Sequence, residues 1–115
     1  MMSISERLQT QDNAGILIVN CDRKIVGFTP NLLRIWNLPE VIIKSLSDQR
    51  ALEFVSEQFD NPKLFLKDMT EIYEQTHLEI NEKVQLKDGR IIERHSKPLS
   101  FNGVYAGRLW KFERN

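Results

Sequence analysis

Glu93 and His95 stand two residues apart in the stretch LKDGRIIERHSKPL, Leu86 to Leu99. On a β-strand that spacing puts both side chains on one face, where a carboxylate and an imidazole could exchange a proton. An active site would need further convergent groups, and the neighbouring sequence supplies none comparable. The plainer reading is two polar side chains on the wetter face of a sheet, and the expectation is a protein without catalysis. Arg94 and Ser96 alternate with that pair and share the other face with Ile92 and Pro98. If that face looks inward, they are polar groups aimed at a pocket, and Arg94 needs an anion or carboxylate partner. If it looks outward, they are simply solvated. Strand alternation leaves both open. Cys21 is the single cysteine, which excludes an internal disulfide and a cysteine-based zinc cluster; a small, partly buried thiol is its expected state.

The bulk composition bounds what such residues can serve. A chain of 115 residues forms one domain with a real core and needs no covalent staples. Sixteen basic and sixteen acidic residues cancel, and the halves differ little, with six basic and eight acidic up to Asp60, then ten and eight. No field exists to collect nucleic acid or anionic lipid. No apolar run approaches a membrane span, and MMSISERLQTQDN lacks the layout of a signal peptide. A cytoplasmic protein, or the cytoplasmic part of a longer one, is expected.

The elements that must position these residues follow from periodicity and turn chemistry. Residues 1–13 are mostly polar, with Ile4 and Leu8 at helical spacing, and read as a leader helix. AGILIVN is a continuous β-branched run, the mark of a strand buried on both faces. It breaks at CDRK, with Asp22 in the turn, and resumes as IVGF: a hairpin. In TPNLLRIWNLP, Thr29 is an N-cap candidate, Pro30 suits the first turn and NLP ends the helix. EVIIKSL is a second helical piece. SDQRALEFVSEQF opens on Ser47 or Asp48 and stripes Leu52, Val55 and Phe59. NPKLFLKDMTEIYEQ spaces Phe65, Met69, Ile72 and Tyr73 as the longest helix. The period then changes to two. HLEINEKVQL alternates Leu78, Ile80, Val84 and Leu86, with Glu82 interrupting. Asp88-Gly89 is a strong hairpin signal, RIIERHSKPLSF is the next strand, NG turns again, and VYAGRLWKFER is the last. The order β-β-α-α-α-α-β-β-β predicts an α+β fold in which helices close one face of an antiparallel sheet.

In the last strand Val104, Ala106, Trp110 and Phe112 share one face, interrupted by Arg108, while Tyr105, Gly107 and Leu109 share the other. Large apolar groups on both sides predict two covered faces. The internal helices cover one; the other needs the leader helix or a second chain.

These residues together resemble a PAS domain, the small sensor module of bacterial signalling proteins. GILIVNCDRKIV looks like the family's opening hairpin, TPNLLRIWNLP like its first helix, and LKDGRIIERHSKPL with GRLWKFER like its last strands. The resemblance covers residues 14–114, with Thr29 standing where the family's helix usually opens on Asn. The chain stops at ERN, where many relatives continue, so a module cut from a longer protein is expected. The resemblance implies a five-stranded antiparallel sheet with helices packed over it, often around a cavity. Such a cavity would be lined from Trp36, Phe54, Phe65, Met69 and Tyr73 on the helices, with Leu109 from the sheet and Arg94 and Ser96 if they face inward. It also implies a role: signal sensing and dimerisation, regulatory to a histidine kinase or a cyclic-dinucleotide enzyme, with an effector domain in the same or a partner chain. The homodimer is expected to use Ile4, Leu8, Trp110 and Phe112. No cofactor is required. Some relatives bind haem through a histidine near the position of His77, but its neighbours here are polar. The flavin-binding relatives carry their cysteine on a helix, whereas Cys21 lies at a strand turn.

Overall fold

The computed structural model describes residues 13–115. The expected leader helix, with Ile4 and Leu8, lies outside the described residues but for Asn13. Strands β1 (Gly15–Asn20) and β2 (Ile25–Phe28) form the opening hairpin. Its turn is organised by Asn20 rather than Asp22: Asn20 Oδ1 accepts the amides of Asp22 and Lys24 at 2.9 and 3.0 Å, a side-chain mimic of a backbone turn.

Helix α1 spans Pro30–Trp36, with proline in the first turn as expected. Thr29 departs from its expected role. It has the extended backbone of an N-cap but caps nothing; its Oγ1 accepts the Ile16 amide at 3.0 Å and ties the helix start to β1. Asn37, at φ 51°, ends the helix by turning its N–H back to Leu33 O. Helices α2 (Glu40–Ile43), α3 (Asp48–Ser56) and α4 (Pro62–Glu74) follow. Ser47 Oγ accepts from Arg50 N at 3.2 Å and Asn61 Oδ1 from Leu64 N at 3.1 Å, each capping its helix. Helix α3 stops before Phe59, which instead stacks on Phe65 of α4 at 4.2 Å between centroids.

Strands β3 (Ile80–Gln85), β4 (Ile91–Phe101) and β5 (Val104–Arg114) complete a five-stranded sheet in the order β2-β1-β5-β4-β3. Every neighbouring pair is antiparallel. The first and last strands thus share the middle of the sheet, where β5 lies between β1 and β4. The α+β order and antiparallel sheet are those the sequence predicts.

The inner, helix-facing side carries Leu17 and Val19 of β1, Ile92, Arg94 and Ser96 of β4, and Arg108, Trp110 and Phe112 of β5, all buried. Arg94 and Ser96 therefore face inward, which alternation left open. Two expectations are corrected here. Trp110 and Phe112, placed at a dimer surface by sequence, are core residues, 1% and 8% exposed. The reason is register: Leu17 pairs with Trp110 and Gly15 with Phe112, alongside the β1 residues that meet the helices. Gly15 lets α1 come close, since a Cβ there would lie 2.7 Å from Leu32 Cα. In turn β1 is not buried on both faces; it alternates, with Ile16 and Ile18 half-buried on the outer side.

Candidate functional site

Between the sheet and the helices lies a cavity of about 40 Å³. Its wall joins α1 (Leu32, Trp36), α3 (Asp48, Val55), α4 (Phe65, Met69), β4 (Arg94) and β5 (Trp110, Phe112). Aromatic contacts fix its floor: Trp110 stacks on Phe112 at 5.9 Å, and Phe112 meets Trp36 edge-on at 5.3 Å. Of the lining residues expected from sequence, Trp36, Phe65, Met69 and Arg94 are present. Phe54 is half-buried against the core but does not reach the cavity. Ser96 is buried yet occupied elsewhere, donating to Leu109 O at 2.9 Å. Leu109 is on the wrong face, because β5 turns Trp110 inward and its neighbours outward. It borders an open groove of about 400 Å³ on the outer side with His95, Lys97 and Lys111.

Arg94 has the carboxylate that its burial demands. Its Nε donates to Glu82 Oε1 at 2.7 Å, and Nη2 forms an ion pair with the same oxygen. Nη1 rests against Met69 Sδ at 3.6 Å. Glu82 interrupts the apolar face of β3 for this reason. The β3–β4 loop is the three residues Lys87 to Gly89, closed by Leu86 and Arg90, and counting outward from it aligns Glu82 with Arg94; a two-residue Asp88-Gly89 turn would have aligned Glu82 with His95.

A second polar group, unforeseen as such, centres on Asp48. Its carboxylate is 1% exposed. Arg23, from the β1–β2 turn, donates to Oδ2 from Nε at 3.1 Å, and its Nη2 forms an ion pair with the same oxygen at 3.1 Å. The guanidinium also covers the Tyr73 ring, 3.9 Å from its centroid. Tyr73 does not line the cavity but accepts the Trp110 indole N–H at 3.0 Å. Burial pushes the Asp48 carboxyl up, opposed by the Arg23 charge and its hydrogen bond. Burial, followed by the Asp48 charge, pushes the Tyr73 phenol far above its usual range. The Tyr73 hydroxyl is near enough to favour the ionised carboxylate, but Asp48 Oδ1 accepts no hydrogen bond of ordinary geometry among the described residues.

A raised carboxyl pKa has a defined effect on stability. Between the unfolded value, about 4, and the higher folded value, the folded chain binds the extra proton. The Asp48 contribution is therefore most favourable below the ordinary carboxylate range and is lost as pH rises through the folded value. The melting-temperature difference between wild type and Asp48→Asn is expected to move in the variant's favour as pH rises. Movement the other way would mean that the Arg23 charge outweighs burial.

Arg108 is wholly buried without a carboxylate among the described residues. Nη1 donates to Ser96 Oγ at 3.0 Å and Nη2 to Gln75 O at 3.1 Å, at the C-terminal end of α4. The negative end of that helix is the counter-charge.

The remaining candidates lie apart from the cavity. Glu93 and His95 are on the outer face, Nε2 3.7 Å from Oε2, and Glu93 also pairs with Lys83 at 3.7 Å. His77 is exposed beyond α4; Cys21, expected to be partly buried, is instead exposed, because the β1–β2 turn that carries it stands out from the sheet. Among the described residues no group of three metal-ligating side chains occurs, and no helix is long and apolar enough to cross a membrane.

No protein-family model matches the sequence, and no curated protein is significantly similar to it. Solved structures are similar in fold. The PAS domain of BvgS from Bordetella pertussis matches with a TM-score of 0.69 at 10% identity, over 96% of this chain and 87% of that one. The sensor region of a sensor histidine kinase matches at 0.66 and 12% identity, over 87% of this chain; the match spans only 38% of that longer chain. A PAS domain in complex with ethanol, from a LuxR-family transcriptional regulator of Burkholderia thailandensis, matches at 0.53 and 12% identity, over 98% and 97%. With these relatives, and the strand order and helical cover described above, the chain has the fold of the PAS sensor domains.

Proposed function

We propose that this chain is a signal-sensing PAS domain, regulatory to a histidine kinase or cyclic-dinucleotide enzyme in the same or a partner chain, with no catalysis of its own. The observation that carries this reading is the cavity wall, where all four helices meet the central strand, α2 through Ile43. A molecule entering there would press on α1, α3 and α4 while touching Trp110 and Phe112 of β5. The last strand would carry that shift along β5 toward Arg114. Sensor kinases among the structural relatives support the assignment of class, and the ethanol complex supports a small-molecule signal for a fold of this kind. A cytoplasmic location and self-association belong to the same proposal. With Trp110 and Phe112 inside, the pairing surface falls to half-exposed outer residues such as Ile16, Ile18 and Leu109.

Native mass spectrometry of freshly purified protein is expected to show a small mass increment that denaturation removes. A bare polypeptide mass, together with failure of pressurised xenon to enter the interior, would overturn the sensing role. The modest cavity favours one competing reading, a scaffold that pairs two chains without a ligand. That reading predicts a concentration-dependent dimer in sedimentation and no response to any interior probe.

A further inference from the structure

We propose that the cavity stays dry and takes a small apolar molecule, a gas or hydrocarbon of about two to four heavy atoms, held by contact alone. This deepens the sensing role and rests on it. The polar side chains at the wall are turned away to partners of their own. Asp48 Oδ2 is held by Arg23, and the Tyr73 hydroxyl stands against the same carboxylate. Arg94 donates to Glu82, and its Nη1 rests on Met69 Sδ. The Trp110 N–H is taken by Tyr73. What remains toward the space is carbon almost throughout, from Leu17, Ile43, Ala51, Val55, Phe65 and Phe112 among others. At about 40 Å³ there is room for about three waters. Water needs about two to four polar partners to settle in such a place, and this wall supplies almost none. A water there would forfeit hydrogen bonds that it has in bulk. An apolar guest forfeits nothing of that kind. It leaves unfavourable hydration behind and gives the lining atoms the dispersion contacts that a void denies them. A charged guest would meet no free counter-ion on the wall, since Arg23 balances Asp48 and Glu82 balances Arg94.

Propane and ethanol, alike in size, test this, since only ethanol carries a hydroxyl that the wall would leave unpaired. In titrations followed by amide NMR spectra, propane is expected to give saturable shifts at Ala51, Leu52 and Val55, with affinity at least about tenfold above that of ethanol. Ala51→Val adds carbon to the space from α3 and should weaken propane at least about threefold. The milder Val55→Ile, which adds a methyl, should act in the same direction. Propane shifts unchanged in both variants would place the guest elsewhere and overturn the inference. Ethanol binding as tightly as propane, with xenon also entering, would overturn it as well and leave the sensing cavity intact, because a polar group of the wall must then reach the guest. Propane excluded while xenon enters would also overturn it, by leaving room for a single atom. Exclusion of all three probes would instead remove the sensing role, and this inference with it.

Discussion

Trp110→Ala is expected to lower stability by about 3–5 kcal/mol, the range for emptying a large aromatic site in a core. The indole is 1% exposed, stacks on Phe112 and donates to the Tyr73 hydroxyl. Alanine removes the ring contacts and leaves the Tyr73 oxygen without that donor. The melting temperature should fall by more than about 10 °C. Trp110→Phe, which keeps most of the packing and loses the N–H, should cost about 1–2 kcal/mol. Sedimentation of the folded Trp110→Phe protein should match wild type, because the side chain is buried on the inner, helix-facing side of the sheet. A Trp110→Ala protein of unchanged melting temperature but altered sedimentation would return the residue to an interface.

An effect of similar size is expected from Gly107→Ala. Gly107 sits at φ 147°, and a Cβ there would come 2.0 Å from Val19 O and 2.8 Å from Asn20 Cα. Both obstacles are backbone of β1, so no side chain can swing away. Either β5 or β1 must shift, at the pairing of the first and last strands. A loss of about 3–5 kcal/mol is anticipated, from backbone strain plus broken pairing. Gly103→Ala is the control. It also has a positive φ, 78°, but meets nothing within 4 Å, so only the left-handed penalty of about 1–2 kcal/mol applies. Urea denaturation giving equal losses for the two variants would dismiss the close approach.

What the sequence disclosed, and what it withheld, follows from the range of each interaction. Hairpins and helix boundaries are local. Asp88-Gly89, Asn61 before Pro62 and the NLP exit are read within a few residues, and the structure places elements there. The side of β5 that faces inward is not local. Trp110 and Leu109 are both apolar, and only pairing with β1, some ninety residues earlier, turns Trp110 toward the helices. Thr29 shows the same limit: its residue type suits a cap, but its hydroxyl finds Ile16 across the sheet. Asp48 is the sharpest case. At the start of a helix it looks like any first-turn carboxylate, and nothing in spacing ties it to Arg23 or to Tyr73. Arg94 is nearer the reverse, since hairpin counting delivers Glu82 once Lys87, Asp88 and Gly89 are all taken as the loop.

The guanidinium of Arg108 gives the end of α4 an unusual tether. Lifting that helix end off the sheet would remove Gln75 O from a charge that has no carboxylate among the described residues and no water contact. A small displacement would strand the cation before solvent could reach it. Departure of the helix end should therefore be governed by a threshold, staying shut under weak pushes and opening in one step once the strand itself lets water in.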